Sequence, residues 1–505
     1  MLSDAIGKAN ILNNQYCSVF TKEVLTDIPS KGPSQAPTMP SIKVTVKGVK
    51  KLLQQLKPLK ASGPDKISTR VLQELAEPLS KPLAEFFQCS INTGIVPVQW
   101  KKAIVSPIFK KGDKHQAANY RPVSLTAVCC KLCEHIIAKS IMEHFEGNGL
   151  LCDNQHGFRK MRSCESQLIQ FVDDLARTMC SGKQVDVAVM DFSKAFDVVP
   201  HQRLLSKLNF YGIRGRALEW IEAFLTDRIQ QVVVNGEFSD IAPVTSGVPQ
   251  GSVLGPILFL SFINDMPECV TSKCRLFADD SIIYREVSAT SDCTRLQDDL
   301  DALERWEKAW GMSFNPTKCN IIHISRKKDP VLNTYHIKST DLEAVDTATY
   351  LGVDVAKNLT WHKQTSKVVA KGNRSLGFIK RNIRTTSRKI KELSYKTLVR
   401  PTLEYAASVW SPHQKELKYV LEMVQRRAAR YVLHRHQRLD SVDDMLRRLK
   451  WDTLEQRRLK ARAVMGYRIV HGLVMIPADQ LIPTTVNTRG HAMKFHLYQQ
   501  KGTIT

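Results

Sequence analysis

At 505 residues the chain is too long for one small domain, and ordinary domain sizes suggest about three. With 43% hydrophobic residues it can build sizeable cores, which excludes wholesale disorder. The net charge of +24 calls for a polyanionic partner, either nucleic acid or an anionic membrane surface.

The first eight residues are polar and unlike a signal peptide, and residues 1–28 read as an amphipathic helical segment. Ile28 to Pro40 is a Pro/Ser linker. Val46–Leu59 reads as a short helix, Lys60–Asp65 as a loop and Val71–Asn92 as a helix. Trp100–Phe109 reads as a strand, with a basic turn at Lys110-Lys-Gly-Asp-Lys114. Ser124–Glu146 and Ser166–Met179 are predicted amphipathic helices; in the second, Leu168, Phe171, Leu175 and Met179 share one face. Val185–Met190 is a β-branched run, expected to be a buried strand that delivers Asp191 at its C-terminal end. A long helix is expected over Gln202–Thr226, a strand and turn over Ile229–Gly236, and an apolar helix over Pro256–Met266. A hairpin over 274–285, a helix over Cys293–Gly311 and a strand over Cys319–Ser325 follow. Such alternation argues for an α/β or α+β sheet layered with helices.

From about Leu359 basic helices dominate. Between Trp361 and Arg400 the only acid is Glu392, against many lysines and arginines. A solvated helix face normally carries both signs, so Lys371, Arg374, Lys380, Arg381 and Arg384 are candidates for phosphate-backbone contacts. The longest apolar stretch, around Val253–Ile263, is too short to span a bilayer and holds Gly255 and Pro256. That favours nucleic acid over a membrane as partner. The 12 cysteines are scattered and none lies beyond Cys319. Cys129-Cys130-x-x-Cys133 has no second ligand pair for zinc, so buried thiols in a reducing compartment are expected; His434-x-His436 belongs with the basic surface.

The chemistry concentrates in acids. Asp279-Asp280 interrupts the hairpin between two apolar arms, where a plain turn would prefer Asn-Gly or Asp-Gly. Alone, such a pair reads as a solvated turn. With Asp191 it supplies three carboxylates from two strands, enough to hold two Mg²⁺ ions at the ~4 Å spacing of in-line phosphoryl displacement. Mg²⁺ leaves part of its shell to water and substrate phosphates, so few protein ligands suffice. Between these acids, the loop from Thr245 to Pro256 is rich in glycine and proline and can pass close to a nucleotide or template base.

Seven motifs stand in order: Asn119-Tyr-Arg-Pro-Val-Ser-Leu125, Gln155-His-Gly-Phe-Arg159, Asp191 through Asp197, Gly247-Val-Pro-Gln-Gly251, Phe277-Ala-Asp-Asp280, Asn315-Pro-Thr-Lys318 and Tyr350-Leu-Gly352. From about residue 5 to about 480 the chain resembles the reverse transcriptase of non-LTR (LINE-type) retrotransposons, nearest the jockey and chicken-repeat groups. The resemblance implies an α+β, right-hand polymerase with an antiparallel-sheet palm, mixed fingers and an all-helical thumb. It implies RNA-directed DNA polymerase activity on an RNA template with a DNA primer and dNTPs, two Mg²⁺ ions (Mn²⁺ as a substitute), no membrane partner, and nuclear or cytoplasmic action; it leaves the oligomeric state open.

The same resemblance assigns roles. Asp191, Asp279 and Asp280 would hold the metals, and Phe196 would sit under the sugar and exclude a 2′-hydroxyl. Gln250 and Gly251 would line the nucleotide pocket. Arg121, with Lys110 or Lys111, would bind triphosphate oxygens, and Arg159 would serve the nucleotide or the template. Lys318 would protonate the leaving pyrophosphate. Tyr350, Leu351 and Gly352 would form the primer grip. The implied organisation is a connector at 1–45, an N-terminal extension and fingers at 46–184, a palm at 185–345, primer grip and thumb at 346–480, and a tail at 481–505. Relatives begin with an endonuclease of over ~150 residues, more than 45 residues can fold into, and no ribonuclease H domain or zinc knuckle follows the thumb. The expectation is a copy truncated at both ends, its tail departing near Arg489-Gly-His491. A non-catalytic binder of RNA or RNA–DNA hybrid and a group II intron maturase are the competing readings.

Overall fold

The computed structural model describes residues 4–435, 437 and 440–478; the expected tail at 481–505 and His436 lie outside the described residues. The architecture is mixed, with sheets and many helices. Its strands are β1 (Lys102–Phe109), β2 (Tyr120–Leu125), β3 (Gln184–Met190), β4 (Arg228–Val234), β5 (Glu237–Phe238), β6 (Ala242–Val244), β7 (Lys273–Phe277), β8 (Asp280–Val287), β9 (Asn320–Ile324), β10 (His336–Ile337), β11 (Thr340–Asp341), β12 (Glu343–Ala344), β13 (Thr347–Tyr350) and β14 (Val353–Ala356).

One five-stranded sheet has the order β12-β9-β3-β8-β7, with β3 at its centre and antiparallel to both neighbours. Successive side chains of a strand face opposite ways, and both faces of this sheet are covered. Ala188, Met190, Ile283 and Ile321 join a core built with residues of the helices Val128–Gly147, His201–Phe210, Leu254–Ile263 and Thr290–Trp310. Val185, Val187, Ile282, Tyr284 and Ile322 point the other way, into a core shared with Leu168, Phe171, Leu175 and Met179 of the helix Cys164–Cys180 and with the helices beyond residue 361. Burial on both faces is why β3 reads as a nearly unbroken apolar run. A second sheet runs β2-β1-β4-β5 with β6 beside β4, and β1 is parallel to β4.

The helical face predicted over Ser166–Met179 is present. Three expectations change. The single helix over Gln202–Thr226 is two, His201–Phe210 and Arg216–Leu225. The chain breaks at Gly212 (φ 86°) and Gly215 (φ 57°), and a Cβ on Gly212 would lie 2.1 Å from the Pro37 carbonyl oxygen. The helix expected from Ser124 starts at Val128, because Tyr120–Leu125 is drawn out as β2 by pairing with β1. The helix over Val71–Asn92 is interrupted at Leu75 between Thr69–Glu74 and Ala76–Thr93; Pro78 has no N–H to give the Glu74 carbonyl.

The Pro/Ser segment has no helix or strand, yet it is fastened along its length. The Met39 N–H donates to the Gly212 carbonyl at 2.8 Å, and Arg203 donates to the Asp27 carbonyl at 2.7 Å. Lys31 pairs with Asp265 at 2.8 Å. It is a strap across the core. Among the described residues no helix is long and apolar enough to cross a membrane.

Candidate active site

The pairing of β3 with β8 ends at Met190 opposite Ser281. Asp191, just past β3, and Asp280, the first residue of β8, therefore stand side by side at the same end of these two strands. Phe277 pairs with Asp280 and closes a two-residue turn of Ala278 and Asp279. Hairpin turns of this length need a residue at positive φ, normally glycine or asparagine; here Ala278 takes φ 54°. A non-glycine residue there costs about 1–3 kcal/mol and persists only when its surroundings hold it. The hold is visible: the side-chain Oε1 of the buried Gln155 accepts the Ala278 N–H at 2.9 Å and the Gly157 N–H at 2.7 Å.

Burial raises the carboxyls of Asp279 and Asp280, and the acids raise one another further. Asp280 is pushed up to about 6 by burial first, then by Asp279 and Asp191. Asp279 is raised by burial, with Asp191 adding to it, while Arg121 and Lys110 pull the other way. Asp191 is held on its backbone by the Asn315 N–H, which donates to the Asp191 carbonyl at 2.8 Å. The same turn, Asn315 to Lys318, places the Lys318 ammonium 2.8 Å from Asp191 Oδ2. Among the described residues no three acid, histidine or cysteine side chains close into a ready-made ion cage. The donor chemistry nevertheless suits Mg²⁺, which takes carboxylate oxygens at one or two positions and fills the remainder with water and phosphate.

Cations surround the acids. Lys110 and Arg121 sit at the far ends of the β1–β2 pair, where the Lys110 N–H donates to the Asn119 carbonyl at 2.9 Å. Lys194, at φ 51°, shares the neighbourhood. Burial lowers its ammonium while Asp197 opposes, and Lys110, Lys318 and Arg121 lower it further. Sequence alone assigns Lys194 no role, because a lone lysine between Ser193 and Ala195 looks like any solvated residue.

Phe196 lies stacked on Phe259, ring centroids 4.4 Å apart. The loop from Ser246 to Gly251 is bound to it on one side and to β2 on the other. The Val248 N–H donates to the Phe196 carbonyl at 2.7 Å, and the Ser124 N–H to the Gln250 carbonyl at 2.7 Å. Gln250 Nε2 donates to Asp197 Oδ1 at 2.8 Å, a carboxyl that burial pushes up to about 6 against this hydrogen bond. Phe196, Gln250 and Ser124 line a pocket whose far wall is Tyr16 and Phe20 of the N-terminal segment.

Tyr350 ends β13, and Leu351 (φ 44°) and Gly352 (φ 82°) turn the chain into β14. The Tyr350 ring is buried against Phe171, and its hydroxyl accepts from Gln167 Nε2 at 3.3 Å. Only the Leu351–Gly352 tip reaches the surface, braced by the Tyr405 hydroxyl, which donates to the Leu351 carbonyl at 2.8 Å. Burial raises the phenols of Tyr350 and Tyr405, and the Asp280 charge adds to both, so this tip stands beside the acid turn. Arg159 stands apart from this group: its guanidinium is 5% exposed, paired with Glu146 at 2.7 Å and bonded to the Cys152 carbonyl at 2.7 Å. Lys371, Arg374, Lys380, Arg381 and Arg384 are exposed on and just after the helix His362–Asn382.

Residues 108–355 match the reverse transcriptase (RNA-dependent DNA polymerase) family. The chain is 27% identical over 449 residues to the "Probable RNA-directed DNA polymerase from transposon BS" of Drosophila melanogaster, covering 82% of this chain and 49% of that protein. It is 28% identical over 341 residues to the RNA-directed DNA polymerase from mobile element jockey of Drosophila melanogaster (66% of this chain, 37% of the relative). The protein of the same name from Drosophila funebris is 29% identical over 390 residues (74% and 42%). The chain thus spans half or less of the length of these curated relatives.

Proposed function

We propose, from the match of residues 108–355 to the reverse transcriptase family, that the chain is an RNA-directed DNA polymerase of a non-LTR retrotransposon, extending a DNA primer on an RNA template. The observation that carries this is the convergence of Asp191, Asp279 and Asp280 at one end of β3 and β8, faced by Lys110, Arg121, Lys194 and Lys318. Acids that repel one another beside a cationic rim suit a site for a divalent metal and a nucleoside triphosphate.

In this reading Asp191, Asp279 and Asp280 hold two Mg²⁺ ions, with Mn²⁺ able to replace them. When bound, the ions supply activation of the 3′-hydroxyl and charge stabilisation of the departing pyrophosphate. Lys110, Arg121 and Lys194 bind the triphosphate oxygens. Phe196 supports the sugar and blocks a 2′-hydroxyl, and its stack on Phe259 prevents it from yielding. Gln250 and Gly251 shape the pocket beside it. Lys318, kept beside the acids by Asp191, donates a proton to the leaving pyrophosphate. Arg159 braces the 152–159 segment through Glu146.

The sheet around β3, antiparallel except for its edge strand β12, serves as a palm within 185–345; the sheet around β1 belongs to fingers that combine 46–184 with β4 to β6 inserted from the palm range; and the basic helices within 346–480 form a thumb. The Leu351–Gly352 tip meets the primer, with Tyr350 as its buried anchor. Lys371, Arg374, Lys380, Arg381 and Arg384 contact the phosphate backbone of the hybrid. The connector is fastened to this body through Asp27, Lys31 and Met39.

The test is Mg²⁺-dependent dNTP incorporation on an oligo-dT-primed RNA, compared with a double Asp279→Ala, Asp280→Ala chain. Incorporation by the parent alone is the expected result. Salt-sensitive binding of the hybrid with no incorporation by either chain would replace the enzyme with a non-catalytic binder.

A further inference from the structure

The acid turn is held from beneath by residues outside the ligand set. Residues 154–157 run along β7: the Leu276 N–H donates to the Asn154 carbonyl at 2.9 Å, and the His156 N–H to the Leu276 carbonyl at 2.9 Å. This register brings Gln155, 1% exposed, under the turn, where its side-chain Oε1 accepts from the N–H groups of both Ala278 and Gly157. Gly157 must be glycine for the approach, since a Cβ there would lie 2.6 Å from the Ala278 nitrogen. Gln167, fully buried, donates from one amide nitrogen towards both the Leu276 carbonyl (3.4 Å) and the Tyr350 hydroxyl (3.3 Å). The Gln155 amide nitrogen, the Gln167 carbonyl and the Ser281 hydroxyl are buried in the same layer with no hydrogen-bond partner.

Resting on the polymerase reading above, we propose that Gln155 is a positioning residue for the metal-binding acids. It fixes the Ala278 amide, and thereby the direction of Asp279 and Asp280, and through Leu276 and Gln167 it ties the turn to the Tyr350 anchor of the primer tip. A non-glycine residue at positive φ needs such external support. A hairpin free of that support would let the two carboxyls splay under their mutual repulsion, so the consequence of losing it is weaker capture of the cation rather than loss of nucleotide fit.

The full chain is compared with Gln155→Met, which keeps length and removes the acceptor, and Gln155→Glu, which keeps an acceptor oxygen. Hydrogen exchange at the Ala278 amide is followed without metal, and the Mg²⁺ concentration for half-maximal incorporation is measured on primed RNA. In the parent the amide is expected to be strongly protected. Gln155→Met is expected to lose that protection and to need roughly 10–100-fold more Mg²⁺, the usual scale for groups that orient a metal ligand, with KM for dNTP at saturating Mg²⁺ unchanged. Gln155→Glu is expected to restore the protection. An unprotected Ala278 amide in the parent overturns the inference even where Gln155→Met fails to fold. So does a folded Gln155→Met with parental exchange and parental Mg²⁺ demand. A parent that incorporates nothing overturns the polymerase reading instead, and the exchange result still decides the role of Gln155 in holding the turn.

Discussion

Phe196 is held on its backbone by the Val248 amide and lies with its ring stacked on Phe259. Shortening it to valine opens the space a 2′-hydroxyl would need. We expect Phe196→Val to raise the kcat/KM ratio of ribo- to deoxynucleotides roughly 10–200-fold, the scale set by losing apolar contact in a pocket; single-nucleotide extension with each triphosphate measures it. Lys318 separates catalysis from binding. If it is the general acid, Lys318→Met lowers kcat about 10²–10⁴-fold with KM for dNTP little changed, read from pre-steady-state extension. The sequence exposed the acids because adjacent aspartates between apolar arms violate turn chemistry. It placed Gln155 and Lys194 inside motifs but gave them, and Gln167, no role, because their importance comes from what the fold brings over them. A glutamine carries no periodic or charge signal, and its hydrogen bond to Ala278 spans 123 positions.

The loop of residues 246–251 is the element that joins the two sheets at the site. Gly251 has φ 110°, and a Cβ there would lie 2.6 Å from the Ser124 carbonyl oxygen on β2. Gly236, at φ 92°, has nothing within 4 Å. Gly236→Ala therefore reports the backbone cost alone, about 1 kcal/mol, whereas Gly251→Ala adds a clash with rigid backbone and is expected to cost at least about 2 kcal/mol. Urea midpoints of the two variants give the difference. Elements set by local pattern were legible: the 3.6-residue period of Cys164–Cys180 and the β-branched run of β3 both appear within two residues of their expected ends. Elements set by distant partners were not. The break between Phe210 and Arg216 is fixed by Pro37, and β2 is extended because β1 lies beside it.

At the scale of the whole molecule, the N-terminal strap is fastened by a buried charge cluster. Asp265 receives Lys207 at 2.6 Å on one oxygen and Lys31 of the strap at 2.8 Å on the other. Trp306 Nε1 also donates to it at 3.1 Å. The Lys207 ammonium is fully buried, 3.7 Å from the Trp310 ring centroid. Burial alone would raise the Asp265 carboxyl, but Lys207 and Lys31 hold it below the ordinary value. A carboxyl depressed in the folded state binds its proton more readily when unfolded. Its contribution is therefore complete above the ordinary aspartate range, near pH 4, and is lost as pH falls through the lower folded value. Asp265→Asn leaves the buried Lys207 ammonium without a counter-charge and Lys31 with Glu268 alone, at 3.4 Å. Removing one partner of a buried pair costs about 3–5 kcal/mol, and here it also frees the strap. We expect a lower urea midpoint at pH 7 together with faster proteolysis between residues 28 and 40. A Lys207→Met, Asp265→Leu pair removes both buried charges and is expected to recover much of the midpoint while losing the acid-dependent decline. Strap proteolysis should stay faster than in the parent in that variant, because Lys31 keeps only the longer, exposed Glu268 pair. Slow cleavage in both variants would show that the backbone bonds at Asp27 and Met39 hold the strap unaided.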